Sequence, residues 1–257
     1  MSSISGVSGA GDYSSLYGKI ASGNALPTAA DGAAELAVSE KMNAQIGGLD
    51  QGSDNISSGM DAIRVKDGAL GEVTDYLQRI RELALAASNS FTVSDSDRKI
   101  FQEEISHLKE GISQIADITS YNEKKLLDGS TGDLNITTDS NGGATKISGS
   151  DSTLKALGIE DFDVTGDFDI RDIDNALKKV SGMRSEAGAK QNSLEYLYNI
   201  NQTSSYNLAA ADSRIEDLDI GKAVGNLDKK RLLDTISVMM QKKREEDEQE
   251  KAQRLFT

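Results

Sequence analysis

Apolar residues recur along this chain with a period close to 3.5 over most of its length. Leu49, Ile56, Ile63, Leu70 and Leu77 follow one another at intervals of seven, and Ile46, Met60, Val73 and Ile80 fill the flanking positions. That spacing draws one apolar stripe along a helix. It predicts helix from about Ala33 to about Ser88. Continuous from Met42 to Ser88, such a helix would be roughly 70 Å long at ~1.5 Å per residue. Gly47, Gly48, Gly52, Gly59 and Gly68 lie within it. Each weakens an exposed helix by ~1 kcal/mol relative to alanine. The helix is therefore expected to draw its stability from packing against neighbours.

Other segments are patterned as clearly. Asn89–Ser94 reads as a connection, with Ser94 or Asp95 capping a second helix. That helix runs to about Tyr121, carries Phe101, Ile105, Leu108, Ile112 and Ile115 on one face, and should fold back on the first. Leu134, Ile136 and Thr138 then alternate, as do Thr145 and Ile147, around Asp139-Ser-Asn-Gly-Gly143. This predicts a β-hairpin inside a short β-rich insert that extends to about Asp169. Helical spacing resumes near Arg171 with Ile173, Leu177, Val180, Ala187 and Leu194, and later Leu208, Ile215 and Leu218. A last helix, about Asp219–Leu255, carries Val224, Leu227, Leu232, Ile236, Met239 and Met240, then a densely charged run to Arg254. At the other end, residues 1–15 are rich in serine and glycine and read as a flexible lead-in. A short helix near Ser14 bears Leu16 and Ile20 until Gly23 and Pro27 interrupt it. The predicted fold class is mainly α: an elongated helical bundle or coiled coil of N- and C-terminal helices, with a small β-hairpin insert. The two ends of the chain lie side by side.

Composition sharpens this picture. One proline, no tryptophan and 5% aromatic residues in 257 leave little material for a thick round core. A net charge of −14 argues against nucleic acid and anionic membranes as partners. With no cysteine and a single histidine, His107, thiolate chemistry and the common zinc sites are excluded. Asp161, Asp163, Thr165, Gly166, Asp167, Asp169 and Asp172 have offsets resembling a calcium loop. Aspartate replaces the bidentate glutamate, however, and the flanks are not two helices. The favoured reading is apolar/acidic alternation in a strand, followed by acidic residues at a helix start. Glu103-Glu104 reads as a solvated face and not as paired catalytic carboxylates. No catalytic residue, cofactor site or metal site is expected. Met1–Gly11 lacks the basic and apolar regions of a Sec signal.

Five segments resemble a known family. Tyr76-Leu-Gln-Arg79-Ile-Arg-Glu-Leu83-Ala resembles the LQRxRELA helix of bacterial flagellins. Ala21-Ser-Gly23 through Ala29-Ala-Asp31-Gly-Ala-Ala is similar to their SSG…AADDAAG segment. Tyr121-Asn-Glu-Lys-Lys-Leu-Leu-Asp-Gly129 resembles FNGKKLLDG, Arg184-Ser-Glu-Ala-Gly-Ala-Lys-Gln-Asn192 resembles RSDLGAxQN, and Ser213-Arg-Ile-Glu-Asp-Leu-Asp219 resembles SRIxDxD. They occur in family order across about residues 14–240.

The resemblance implies a structural subunit of the flagellar filament, not an enzyme. It would self-assemble into a helical homopolymer and contribute to motility. It would be exported without a cleaved Sec signal, by the flagellar export apparatus with a chaperone, and reside outside the cell. The alternative is a flagellin-like paralogue acting as a minor filament component, a secreted adhesin or a host-receptor ligand. The implied organisation is residues 1–32 as a flexible export and inner-domain segment and 33–129 as the N-terminal half of the helical bundle. Residues 130–170 form the β-rich insert, 171–219 the C-terminal bundle helix and 220–257 the C-terminal inner-domain helix. In flagellins bound by Toll-like receptor 5, an Arg, a Leu and a Glu of the first two bundle helices dominate the contact; the matching residues are Arg79, Leu83 and Glu104. The resemblance is weakest at the ends: the N-terminal arm is short, and Lys242–Lys251 is charged where the family is mostly uncharged. Buried there, those charges need partners.

Overall fold

The computed structural model describes residues 8–89, 91 and 93–255. The first seven residues of the expected lead-in, Ser90 and Thr92 of the expected connection, and the last two residues lie outside them. Six helices are described: α1 (Ser8–Ser22), α2 (Ala33–Ala87), α3 (Asp95–Ile118), α4 (Leu154–Leu157), α5 (Ile170–Glu216) and α6 (Ile220–Leu255). Four short strands form two antiparallel pairs: β1 (Ser120–Tyr121) with β2 (Lys124–Lys125), and β3 (Leu134–Thr137) with β4 (Ala144–Ile147). The chain divides into two compact units. One spans Gln45–Tyr206, and the other joins the residues up to Ala44 with those from Asn207 onward. Helices α2 and α5 contribute to both.

In the Gln45–Tyr206 unit the heptad stripe of α2 is the core. Ile56, Ile63, Leu70 and Leu77 are all at most 1% exposed. Ile105 and Ile112 of α3 and Ile173 and Val180 of α5 meet its second half. Ile147 of β4 and Ala187 and Leu194 of α5 meet its first half. Ser94 starts α3 with a reciprocal capping box: its hydroxyl accepts from the Asp97 N–H and the Asp97 carboxylate accepts from the Ser94 N–H.

The glycines of α2 fall into two classes. A Cβ on Gly48 would meet Ser140, one on Gly52 would sit 2.8 Å from the carbonyl oxygen of Thr138, and one on Gly59 would strike Ile136. These three glycines let the β3–β4 hairpin lie against the helix. Gly47 and Gly68 face open space. The hairpin is pinned from both sides. Asn55 donates to the Thr137 carbonyl (3.1 Å), and Asn201 of α5, only 4% exposed, donates to the Thr138 carbonyl (2.7 Å). Lys66, also buried, donates to the Ser148 carbonyl at 2.9 Å. Burial lowers its pKa, and nearby Glu186 opposes that shift.

Four sequence expectations need correction. The segment read as flexible to residue 15 is helical from Ser8, not from near Ser14, because α1 packs on α6 and tertiary contact overrides weak serine and glycine propensity. Helix α3 ends at Ile118, and Ser120–Tyr121 turn back to pair with Lys124–Lys125. Beyond the hairpin the insert is not β-rich. Thr153 caps the single turn α4, which ends at Gly158. Residues 161–169 form turns and not a strand.

The β1–β2 turn holds a testable strain. Asn122 and Glu123 have φ of 48° and 65°, the positive pair of a type I′ turn, which favours Asn-Gly. Glutamate has a Cβ to accommodate there, at a cost of roughly 1–2 kcal/mol. Glu123→Gly should therefore raise the unfolding free energy by about 0.5–1 kcal/mol, net of the extra chain entropy of glycine. Urea denaturation followed by circular dichroism reads this directly, and a lower midpoint contradicts it.

Candidate assembly and recognition surfaces

In the unit built from the chain ends, α1 and α6 run side by side. The Tyr13 hydroxyl donates to the Asp234 carboxylate, which raises the tyrosine pKa. Arg231 donates to the Tyr17 hydroxyl. Lys230 lies 5.2 Å from the centre of the Tyr13 ring and Arg231 5.5 Å from that of Tyr17, each within cation–π range. Ala223 and Leu227 are buried on this side of α6. Two of the sequence segments singled out above meet below this pair. Gly23, at φ 70°, lets the chain turn so that the Ala25 N–H reaches the Glu216 carbonyl and the Leu218 N–H reaches the Gly23 carbonyl. The Glu216 carboxylate accepts from the Asn24 amide and the Ser39 hydroxyl. Lys19 pairs with Asp31 at 2.5 Å, and Asp219 caps α6 through the Lys222 N–H.

Elsewhere on α6 several apolar residues are left uncovered by the described residues. Leu232 is 61% exposed, Ile236 43% and Met239 65%, with Leu233, Val238 and Met240 similarly open. From Lys242 to Lys251 the helix is charged and exposed. A helix whose apolar residues find no cover in its own chain is an association surface.

In the other unit, the Tyr76–Ala84 stretch of α2 sends its side chains three ways. Leu77, Ile80, Leu83 and Ala84 enter the core. Arg79 reaches α3, pairing with Glu104 at 2.7 Å and with Glu82 of its own helix at 3.1 Å; these carboxylates raise its pKa. Arg81 reaches α5, pairing with Asp174 at 2.6 Å. Arg184 of α5 likewise pairs with Asp67 of α2 at 2.9 Å. Of the three expected receptor residues, Arg79 and Glu104 are thus brought together, each roughly half exposed. Leu83 is 5% exposed and is mainly a core residue beneath them. Sequence reasoning missed the Arg81–Asp174 and Arg184–Asp67 pairs and the buried amide of Asn201. Asn201 did carry a signal, since it continues the spacing of seven from Ala187 and Leu194.

The acidic loop after α4 lines an open depression of about 810 Å³ with Asp161, Asp163, Asp167, Asp169 and Asp172. Two of its carboxylates serve the loop itself. Asp163 accepts from the Thr165 N–H and hydroxyl, and Asp169 accepts from the Arg171 N–H and guanidinium. Among the described residues no three carboxylate or histidine side chains converge as a metal site would require. His107 is 82% exposed beside Glu110. No helix among the described residues is long and apolar enough to cross a membrane.

Hydrogen bonds hold several of these aspartates below the ordinary value of 3.8: Asp31 by Lys19 and Thr28, Asp97 by Ser94, Asp128 by Ser130, Asp163 by Thr165 and Asp169 by Arg171. A carboxylate depressed by folding adds stability above its unfolded pKa, and that stability is lost as pH falls through the folded one. Thermal midpoints should therefore hold from neutrality to about pH 5 and fall steadily below about pH 4. Melts followed by circular dichroism across that range test this, and a flat profile contradicts it.

Comparison with known proteins agrees with these features. Residues 7–131 match the family described as bacterial flagellin N-terminal helical region, and residues 170–250 match bacterial flagellin C-terminal helical region. A flagellin of Halalkalibacterium halodurans is 39% identical over 230 residues, covering 86% of this chain and 84% of that protein. The flagellar filament 33 kDa core protein of Treponema phagedenis is 36% identical over 236 residues, covering 84% and 82%. Among solved structures, Bacillus cereus flagellin superimposes with a TM-score of 0.52 at 28% identity, covering 62% of this chain and 94% of that one.

Proposed function

Because the chain belongs to the bacterial flagellin family, we propose that it is a structural subunit of a flagellar filament, acting outside the cell by self-assembly and not by catalysis. The observation that carries this reading is the uncovered apolar surface of α6, from Leu232 to Met240, at one end of a chain matched by both flagellin regions. In this reading residues 1–32 and 220–257 are inner-domain segments, 33–129 with 171–219 form the bundle, and 130–170 is the insert. The chain reaches the filament through the flagellar export apparatus with a chaperone. Negative-stain microscopy of the purified chain, concentrated or with precipitant, should show supercoiled filaments. Persistent monomers under those conditions overturn the reading.

Toll-like receptor 5 is a second proposed partner, supported by the half-exposed Arg79–Glu104 pair linking α2 and α3. Leu83 would act mostly from beneath, by fixing the helix that presents Arg79. Arg79→Ala should reduce signalling in receptor-bearing reporter cells roughly ten-fold or more, as loss of an arginine anchor does. It should barely move the melting temperature, because exposed pairs contribute little. Equal signalling by the two proteins excludes this site.

A further inference from the structure

The chain has no cysteine and no tryptophan, so its methionine thioethers are the side chains most open to oxidation by a peroxide. They are not equally accessible. Met42, Met60 and Met183 are half-buried. Met60 packs against the cluster that includes Ile56, Ile63 and Leu194, and Met183 against the cluster that includes Leu70, Leu77 and Val180. Met1 lies outside the described residues. Met239 and Met240 stand apart, adjacent on α6 and 65% and 62% exposed. Spacing of seven places Met239 in line with Leu232 and Met240 in line with Leu233, and Ile236 lies within one turn of both. The two exposed thioethers therefore belong to the uncovered apolar stretch of α6 and not to its charged end.

We propose that Met239 and Met240 are the oxidation site of this protein, and that sulfoxide formation there by a peroxide weakens assembly reversibly. The effect on assembly rests on the filament reading above; the site does not. In the reaction the sulfur attacks the distal oxygen of hydrogen peroxide. An S–O bond forms, the O–O bond breaks, and the departing hydroxide takes up the peroxide proton as water. The sulfur is oxidised by two electrons and the peroxide is reduced by two. The product replaces a flexible apolar side chain with a strongly polar one. Exposed on the single chain, that group is hydrated and the fold is unaffected. Covered by a neighbouring copy, it has to give up water in an apolar contact, which is unfavourable without a new hydrogen-bond donor. Met60 and Met183 are screened by the packing of the Gln45–Tyr206 unit, so the damage is confined to a place where it changes association and not stability.

The test oxidises the purified full chain with dilute hydrogen peroxide, removes the excess with catalase, and divides the sample. Mass spectrometry of tryptic peptides should find one or two added oxygen atoms on Leu232–Lys242 at a dose that leaves the peptides bearing Met60 and Met183 unchanged. Equal or faster oxidation of Met60 or Met183 overturns the site. In the other half, the concentration needed to polymerise should rise roughly ten-fold or more, with circular dichroism unchanged. Treatment with methionine sulfoxide reductases for both epimers should reverse the rise. A chain carrying Met239→Leu and Met240→Leu serves as its own control: whatever its threshold before peroxide, that threshold should be the same afterwards. An equal rise in this variant, or no rise in the wild type, overturns the effect on assembly. Untreated wild-type chain separates the readings. If it forms filaments the filament reading stands whatever peroxide does; if it forms none, that reading and the effect on assembly fall together, and the peptide map still decides the site.

Discussion

Gly52→Val is expected to lower the unfolding free energy of the Gln45–Tyr206 unit by roughly 3 kcal/mol. The first β carbon alone would lie 2.8 Å from the Thr138 carbonyl oxygen and 3.1 Å from the Asn201 amide nitrogen. Neither can simply rotate away. The oxygen belongs to backbone, and it accepts the 2.7 Å hydrogen bond from Asn201. Fitting valine therefore lifts the hairpin off α2 or pushes α5 aside. Overpacking of this kind costs about 1–3 kcal/mol, and stranding a buried amide and carbonyl adds about 1–3 kcal/mol. Against this stands only a fraction of the ~1 kcal/mol that removing a helical glycine returns. Gly47→Ala and Gly68→Ala supply the contrast. Nothing lies within 4 Å of a Cβ at either site, so each should stabilise by up to about 1 kcal/mol. Urea titrations of the three variants would show opposite signs for substitutions in one helix. A Gly52→Val protein as stable as the wild type would mean the hairpin does not rest on α2.

That contrast also marks how far the sequence could be read. The seven-residue spacing from Leu49 to Leu77 is a local signal, set by helix geometry; Ile56, Ile63, Leu70 and Leu77 are buried as the pattern requires, and Leu49 is half-buried. The alternation that predicts β3 and β4 is local too, with Leu134 paired to Ile147 and Ile136 to Thr145, of which Ile147 is buried and the others half-buried. What the pattern does not contain is which neighbour arrives. Six glycines in α2 look alike in sequence, yet three are notches for the hairpin and three, Gly47, Gly68 and Gly71, are not. Residues 8–15 lack helical propensity, and among the described contacts those of Tyr13 and Tyr17 with α6 hold the helix that starts at Ser8. Helix α3 ends before the position its periodicity predicts because Ser120 and Tyr121 suit a helix or a strand, and pairing with Lys124 and Lys125 decides between them.

The candidate surfaces divide in the same way. Resemblance pointed to Arg79, Leu83 and Glu104, and the fold places the two charged residues within 2.7 Å of each other. It also turns Leu83 inward, since position 83 continues the core-facing run of Leu77 and Ile80. The apolar residues of α6 were legible as a helical stripe, but not as an uncovered one. Their exposure follows from geometry. Helix α1, ending at Ser22, covers the side of α6 that bears Ala223, Leu227, Arg231 and Asp234, and Leu232, Ile236 and Met239 lie on other sides.

Those uncovered sides make the strongest functional prediction. Leu232→Asp combined with Ile236→Asp should raise the concentration needed for filament formation about a thousand-fold, which in practice abolishes it. Covering one leucine- or isoleucine-sized side chain contributes about 1.5–3 kcal/mol, and these two are 61% and 43% exposed in the single chain. Losing both removes most of that contribution. Placing two unpaired carboxylates in a dry contact adds several kcal/mol more. Even a net loss of about 4 kcal/mol is a thousand-fold change in an association constant. The fold of the single chain should survive, because neither side chain is buried within it. The Tyr13–Asp234 and Tyr17–Arg231 contacts remain, and helicity and the melting of the core unit should match the wild type. Sedimentation of polymer across a concentration series, with circular dichroism on the same samples, separates assembly from folding. Filaments at the wild-type concentration from the doubly substituted chain would show that α6 does not supply the contact between copies.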